Sequence, residues 1–272
     1  MAPKQQAQTL NESVEIVKAT TDHKEKLIPF LDVCYTPSDP LLVSLLMQNE
    51  VTVEQLRSHT EKLVENADLN GHSYIAIDKA TQRIIGLCIA QKSHSDSIME
   101  CFDNELSESF TELYGQLFRN VKLPVGSCLV ITALVVNPIF RKRKYGTKLV
   151  TRLLIAASQS LKFNACVVAA TTKGSHCLFT NLGFEFAKEC RYQRFKLEPD
   201  CVAFRKTANH KAIKLFYVAI DIKRRGKVKT VSNSKFEESS EEEDDFISTN
   251  GSSEFTSTDE ESILESSGSK NY

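Results

Sequence analysis

The sequence predicts a single α/β domain over residues 13–225, built on a mixed central β-sheet flanked by helices. Two almost entirely apolar stretches, 128–136 and 165–170, are typical of strands that are buried on both faces. A helical segment follows each of them. Strands that alternate with helices in this way indicate the α/β class.

The elements of the first half are predicted from residue alternation, helical periodicity and turn residues. In order, we predict an edge strand at 14–18, a helix with Asp22 as its N-cap, a helix at 53–66, a hairpin of 74–78 with 83–90, and a helix at 105–120. A loop over 35–42, which contains Ser38, Asp39 and Pro40, leads from the first of these helices into a further helical segment.

The second half begins with the apolar strand at 128–136. The helix after it places four apolar residues on one face, at spacings of three, four and seven: Leu149, Leu153, Leu154 and Ala157. Asn164 can cap the end of that helix. The remaining predicted elements are a strand at 165–170, a helix containing 177–182, a strand opened by Gly183 and Phe184, and a last strand at 212–221.

Both ends of the chain are predicted to be disordered. Residues 1–12 are polar, and residues 226–272 are rich in Ser and Glu, with too few apolar residues to form a core.

Residues 232–272 carry 12 acidic and 2 basic residues, a net charge of −10, whereas the remainder has 32 basic and 23 acidic residues, a net charge of +9. Acidic residues lie three positions after several hydroxyls of this segment, and an acid-directed kinase could modify Ser239, Ser240, Ser257, Thr258 and Ser262. The alternative is a solubilising tail without a regulatory role.

Composition argues against several classes of protein. The N-terminus lacks the apolar core of a signal peptide, and the longest apolar run, 128–136, is too short to span a bilayer. The eight cysteines include no CxxC pair and no histidine at metal-ligand spacing, which favours reduced thiols and no metal site. We therefore expect a cytoplasmic protein, with the nucleus as the alternative.

Four cations lie immediately before the helix that Gly146 opens. They are Arg141, Lys142, Arg143 and Lys144. A helix macrodipole disfavours positive charge at this end, whereas the free N–H groups there bind anions. The pattern therefore indicates a polyphosphate site, and a solvated basic loop or a nuclear localisation signal is the alternative.

The spacing Val136-x-Pro138-x-x-Arg141-x-x-x-x-Gly146-x-x-Leu149 resembles the acetyl-CoA signature of the GCN5-related N-acetyltransferase (GNAT) superfamily. The segment 182–185, Leu-Gly-Phe-Glu, is similar to its final motif. The resemblance implies the GNAT fold and acetyl-CoA as cosubstrate. By the same resemblance, the cofactor contacts would be Leu134, Val135, Val136, Arg141, Lys142, Arg143, Lys144, Tyr145, Gly146, Thr147 and Asn181. The alternative for Asn181 is an exposed helix residue without a role in binding. The chain departs from the family at Lys144, where a glycine is usual.

The loop Ser38-Asp39-Pro40-Leu41 resembles the corresponding segment of insect arylalkylamine N-acetyltransferases, in which an acidic residue is the general base. By this resemblance the base is Asp39. The apolar strand at 128–136, where many superfamily members carry a glutamate, contains no acidic residue. The alternative for Asp39 is a turn-forming residue before a proline.

The leaving thiolate needs a proton donor or another stabilising group. Phe179 occupies the position at which other superfamily members use a tyrosine, and it cannot donate. The insect-type resemblance implies Thr171 and Ser175 instead, although the same residues suit an ordinary polar loop with an N-cap. His176 and Cys177 are further alternatives.

The function that these resemblances imply is acetyl-CoA-dependent acetylation of a small arylalkylamine by direct attack of its primary amine on the thioester. Two alternatives remain: acetylation of protein lysines or N-termini, and a non-catalytic CoA-binding regulator. The expected partners are the amine and acetyl-CoA, with neither nucleic acid nor a membrane, and a kinase for the tail.

Overall fold

The computed structural model describes residues 13–102, 106–198, 201–204, 207 and 210–220. The two segments predicted to be disordered, 1–12 and 226–272, lie outside the described residues. So do the kinase sites proposed within the second of them.

A seven-stranded mixed sheet organises the domain, in the order β1-β2-β3-β4-β5-β9-β6. Its strands are β1 (Val14–Lys18), β2 (Tyr74–Asp78), β3 (Arg83–His94), β4 (Ser127–Val136), β5 (Ala165–Ala170), β6 (Glu185–Arg191) and β9 (Ala212–Ala219). Strands β1 to β4 are antiparallel neighbours, β4 and β5 are parallel, and β9 is antiparallel to both β5 and β6. The short strands β7 (Lys196–Glu198) and β8 (Cys201–Val202) form a separate pair. The predicted mixed α/β architecture is confirmed.

In the part of the chain that the structure describes, six helices cover the sheet: α1 (Lys24–Cys34), α2 (Pro40–Met47), α3 (Val53–Glu65), α4 (Glu108–Phe118), α5 (Tyr145–Ser160) and α6 (Lys173–Asn181). The predicted cap of the first helix is wrong. A 3-10 turn over Thr21–His23 precedes α1, so Asp22 lies inside that turn and His23 occupies the N-cap position. The turn starts where the Thr20 amide donates to Nδ1 of His23 at 3.1 Å.

The hydrophobic core lies on both faces of the sheet, and β4 contributes to each. Cys128 and Val130 pack into the cluster formed with α2 and α4, whereas Leu129 and Ile131 pack into the cluster formed with α5. In α5, Leu149, Leu153 and Ala157 are fully buried and Leu154 is partly buried. This double burial explains why β4 is apolar at nearly every position.

Candidate active site

Strands β4 and β5 separate along their length. They pair only over residues 128–131 and 165–168, and beyond that point a cavity of about 600 Å³ opens between them. A β-bulge lies where the pairing ends: Ile131 pairs with Ala90 and Ala133 with Ile89, so Thr132 is an extra residue in β4. Because a bulge bends its strand and increases its local twist, it accounts for the separation of the two strands.

Most of the residues predicted for the site line this cavity: Asp39, Leu134, Val135, Val136, Arg141, Lys142, Lys144, Tyr145, Gly146, Thr147, Thr171 and Ser175. Two of them do not. The Arg143 guanidinium lies over the Phe140 ring, 5.5 Å from its centroid, and Asn181 is an exposed residue at the end of α6. Neither is among the described residues of the cavity wall.

Asp39 begins α2 and lies inside the cavity wall, with 7% of its surface exposed. Its Oδ1 accepts hydrogen bonds from the N–H groups of Leu41 (2.9 Å) and Leu42 (3.3 Å). The hydroxyl of Thr171 donates to its other oxygen, Oδ2, at 2.7 Å. Burial raises the pKa of Asp39 above its ordinary value, although these hydrogen bonds oppose the shift. Asp39 therefore caps α2 through one oxygen and binds Thr171, 132 positions later in the sequence, through the other.

Aromatic side chains surround this carboxylate. Tyr35 and Tyr114 line the cavity, and burial together with the charge of Asp39 raises the pKa of both phenols, so they stay neutral. The Tyr192 hydroxyl donates to the backbone carbonyl of Thr171 at 3.0 Å. This bond fixes the segment that carries the Thr171 side chain.

His210 also lines the cavity, and sequence reasoning did not find it. Its Nδ1 accepts a hydrogen bond from the Lys173 N–H at 3.3 Å, which leaves Nε2 as the protonated nitrogen of the neutral ring. Burial lowers the pKa of His210, and the nearby charge of Asp39 partly offsets this shift. No motif marks this residue, since it comes close to Asp39 only through the pairing of β9 with β5.

Ser175 belongs to the cap of α6. Thr172 is the N-cap residue, and its Oγ1 accepts from the Ser175 N–H at 3.1 Å. The Ser175 hydroxyl donates its proton to the Thr172 carbonyl at 2.8 Å. Of the two predicted proton donors, Thr171 is thus the one whose hydroxyl is bonded to Asp39.

The basic loop connects the two halves of the cavity. Arg141 Nε donates to the Val136 carbonyl at 3.1 Å, and its Nη2 donates to Ser38 Oγ at 2.8 Å. The loop that follows β4 is therefore hydrogen-bonded to the residue beside Asp39. The backbones of Lys142 and Lys144 both have a φ of 61°, in the left-handed region.

Gly146 fits the loop for a reason that the motif did not indicate. A Cβ on this residue would lie 3.0 Å from the Leu178 side chain of α6 and 3.8 Å from that of Val136. The glycine therefore allows the first turn of α5 to pack closely against α6.

The residues present suit acetyl-CoA. Beyond residue 131, the edge of β4 that faces β5 pairs with none of the described strands. Its backbone N–H and C=O groups can therefore pair with an extended amide chain such as the pantetheine arm. Arg141, Lys142 and Lys144 stand at the open end of that edge, together with the N-terminus of α5. These are the groups that a diphosphate requires.

The sequence profile of the acetyltransferase (GNAT) family matches residues 42–184, just over half of the chain. The chain belongs to the GNAT family. It is thus an acetyltransferase, and the acyl donor of this fold is acetyl-CoA. No curated protein has a significantly similar sequence.

Solved structures of insect acetyltransferases share the fold. An arylalkylamine N-acetyltransferase 2 from Aedes aegypti superposes with a TM-score of 0.63 at 18% identity, and a mosquito arylalkylamine N-acetyltransferase-like protein 5b with 0.60 at 19%. A Drosophila melanogaster polyamine N-acetyltransferase that forms N-acetylagmatine gives 0.59 at 20%. Each match covers 76% of this chain and at least 99% of the other. At these identities the likeness establishes the fold and not the substrate.

Within the described residues, no helix is long and apolar enough to cross a bilayer. The same part of the chain contains no group of three or more histidine, cysteine, aspartate or glutamate side chains arranged to hold a metal ion.

Proposed function

We propose that the enzyme transfers the acetyl group of acetyl-CoA to the primary amine of a small arylalkylamine, by direct attack of that amine on the thioester. The observation that carries the proposal is the hydrogen bond between Thr171 and Asp39. It brings a buried carboxylate and a hydroxyl together in the cavity between the separated strands. Acetyl-CoA supplies an activated acyl group there when bound. Side chains of the protein accept and donate the protons.

Asp39 is the proposed general base. A primary amine is protonated near neutral pH and must lose a proton before it can attack a carbonyl carbon. Asp39 is the one carboxylate among the described residues that line the cavity. Because its pKa is raised, the carboxylate is a stronger base than an exposed aspartate, which favours proton transfer from an ammonium group.

Thr171 is the proposed route of the proton to the leaving sulfur. The reaction removes two protons from the ammonium substrate: the departing sulfur takes one and the solvent receives the other. While Asp39 is ionised, the Thr171 hydroxyl donates to it. Once Asp39 holds a proton, this hydroxyl can accept from the carboxyl group and donate toward the sulfur. Ser175 is less suited to this role, because its proton is bonded to the Thr172 carbonyl.

The cavity wall favours an aromatic monoamine. Tyr35 and Tyr114 present ring surface near Asp39, which would accommodate an aromatic substrate body. A substrate with a second positive charge would find no second carboxylate among the described lining residues, and it would approach Arg141 and Lys142. We therefore expect aromatic monoamines to be better substrates than agmatine or polyamines.

Steady-state acetylation assays test the proposal with tryptamine, dopamine, tyramine and octopamine, compared with agmatine and a lysine peptide. At least one aromatic amine should have the highest kcat/KM. Asp39→Asn tests the proposed base, because an asparagine oxygen still caps α2 but cannot serve as a base. The kcat/KM of this variant should fall by about 10²–10⁴-fold, and its CoA binding should be retained. Faster acetylation of agmatine or of the peptide, or CoA binding without any turnover, contradicts the proposal.

A further inference from the structure

The part of the chain that contains β7 and β8 lies against the helix that Asp39 caps. Its described residues, 192–198 and 201–204, form the β7–β8 segment. Four side chains of this segment are buried in the hydrophobic cluster to which α2 contributes three leucines: Tyr192, Phe195, Ala203 and Phe204. The segment therefore packs against the element that positions the proposed base.

One hydrogen bond from the segment reaches the residue that follows β5. The Tyr192 hydroxyl donates to the Thr171 carbonyl at 3.0 Å, and the Tyr192 side chain is fully buried. The pairing of β5 with β9 ends at Ala170, so the backbone of Thr171 lies beyond that ladder. Tyr192 thus supplies a backbone contact just where the sheet ceases to hold the chain.

A second hydrogen bond ties the same segment to α2. Gln48, the C-cap residue of this helix, donates from Nε2 to the Ala203 carbonyl at 2.7 Å. The helix has only eight residues, and Asp39 is its N-cap. A displacement at Gln48 would therefore be transmitted along two turns of helix to Asp39.

The two points of contact belong to one connected unit. The Ala203 amide donates to the Phe195 carbonyl at 3.2 Å. The Phe204 ring packs against the rings of Tyr192 and Phe195, with centroids 6.1 Å and 5.6 Å apart. The β7–β8 segment thus joins the end of α2 to the residue after β5 through direct contacts.

We propose that the β7–β8 segment sets the distance between Asp39 and Thr171, with Tyr192 and Gln48 as positioning residues for acetyl transfer. The inference rests on the proposed function, in which the Thr171 hydroxyl donates to Asp39. These two residues are 132 positions apart in the sequence, and their 2.7 Å bond forms only while α2 and the end of β5 keep their relative position. Because a hydrogen bond weakens steeply as its geometry departs from the ideal, a small displacement of either element would weaken it.

Two substitutions remove the two contacts one at a time. Tyr192→Phe deletes only the buried hydroxyl, and Gln48→Met keeps the length of the side chain but removes its donor. In each variant Asp39 should be stabilised less well as a carboxylate, so the acid limb of kcat/KM should move up by roughly 0.5–1 pH unit. The CoA dissociation constant, measured by isothermal titration, should stay at its wild-type value.

A double variant separates positioning from a general loss of structure. In Thr171→Val the bond to Asp39 is already absent, so adding Tyr192→Phe should move the acid limb no further. Tyr217→Phe is the matched control, because its hydroxyl donates to Glu185 at 2.6 Å and Tyr217 is not among the described residues of the cavity wall. It should leave the acid limb and kcat unchanged.

A wild-type acid limb in Tyr192→Phe or in Gln48→Met overturns the inference. A lower Tm without a shift of the limb does so as well, because it assigns these residues to stability alone. A shift in Tyr192→Phe that adds to the shift in Thr171→Val also overturns it. These results leave the proposed function intact, provided that Thr171→Val itself shifts the limb. A wild-type acid limb in Thr171→Val would overturn both the inference and the proposed role of Thr171.

Discussion

The hydrogen bond between Thr171 and Asp39 allows a direct test of the proposed base. Thr171→Val replaces the hydroxyl by a methyl group of similar size, so the shape of the cavity wall is kept. The substitution removes the 2.7 Å O–H···O bond to Asp39 Oδ2 and leaves the two backbone amides on Oδ1. The carboxylate then remains buried with one fewer donor.

The size of the effect follows from that bond. Hydrogen bonds to charged groups contribute about 1.5–3 kcal/mol, and one pKa unit corresponds to about 1.4 kcal/mol. Because the Thr171 hydroxyl stabilises the ionised form, its removal should raise the pKa of Asp39 by roughly one to two units. A base must be ionised to accept a proton, so the acid limb of kcat/KM should move to higher pH by the same amount.

The assay is kcat/KM for the best amine from about pH 5 to pH 9 at saturating acetyl-CoA. Thr171→Ser retains the donor and should restore the wild-type acid limb, whereas a lost packing contact would not be restored in this way. Calorimetric titration with CoA checks that both variants keep the cofactor site. An acid limb that is identical in wild type and Thr171→Val would refute the role of this bond, as would a serine variant shifted as far as valine.

Two further predictions concern the pH dependence of stability and the role of the acidic segment. Burial lowers the pKa of His59 from 6.5 to about 4, so an unfolded chain binds a proton between these values that the folded chain does not. Stability should therefore fall by about 1.4 kcal/mol per unit as pH drops below about 6.5, roughly 3 kcal/mol in all, and His59→Phe should flatten this dependence in urea unfolding. Deletion of 232–272 should leave kcat unchanged. It should raise CoA affinity at low salt and strengthen its salt dependence, because this segment of net charge −10 would no longer compete with the phosphates for cations. If CoA affinity has the same salt dependence with and without the segment, and with the segment phosphorylated or not, then the segment has no role in CoA binding.

The fold could be predicted because its signals are local. The apolar runs at 128–136 and 165–170 and the Leu149, Leu153 and Ala157 periodicity each reflect packing of a single element against the core. The cap at Asp22 failed because the 3-10 turn before α1 depends on His23, whose ring accepts from the Thr20 amide. Standard capping preferences do not include histidine in that role.

The parts of the site differ in how far the sequence predicts them. The loop from Arg141 to Gly146 is a continuous segment, so its residue spacing alone places it at the start of a helix. The group formed by Asp39, Thr171 and His210 comes from three distant segments, and only the first two were suggested by motifs. Gly146 stays a predicted cofactor contact, and the structure adds a constraint that the motif does not contain: a Cβ there would lie 3.0 Å from the Leu178 side chain.

The opening between β4 and β5 depends on a feature that hydrophobic patterning cannot predict. The register of a strand pair is specified when apolar and polar residues alternate, because a slip by one residue would then expose the apolar face. Strand β3 from Ile84 to Ala90 and strand β4 from Cys128 to Val136 are almost entirely apolar, so a one-residue shift leaves the pattern unchanged. The extra residue, Thr132, lies where the sequence pattern specifies the register of β3 and β4 only weakly. Because both faces of the sheet are buried, β4 is apolar throughout, so its sequence gives no signal of the bulge. The same uniform pattern tolerates the extra residue. The bulge in turn separates β4 from β5 around the cavity.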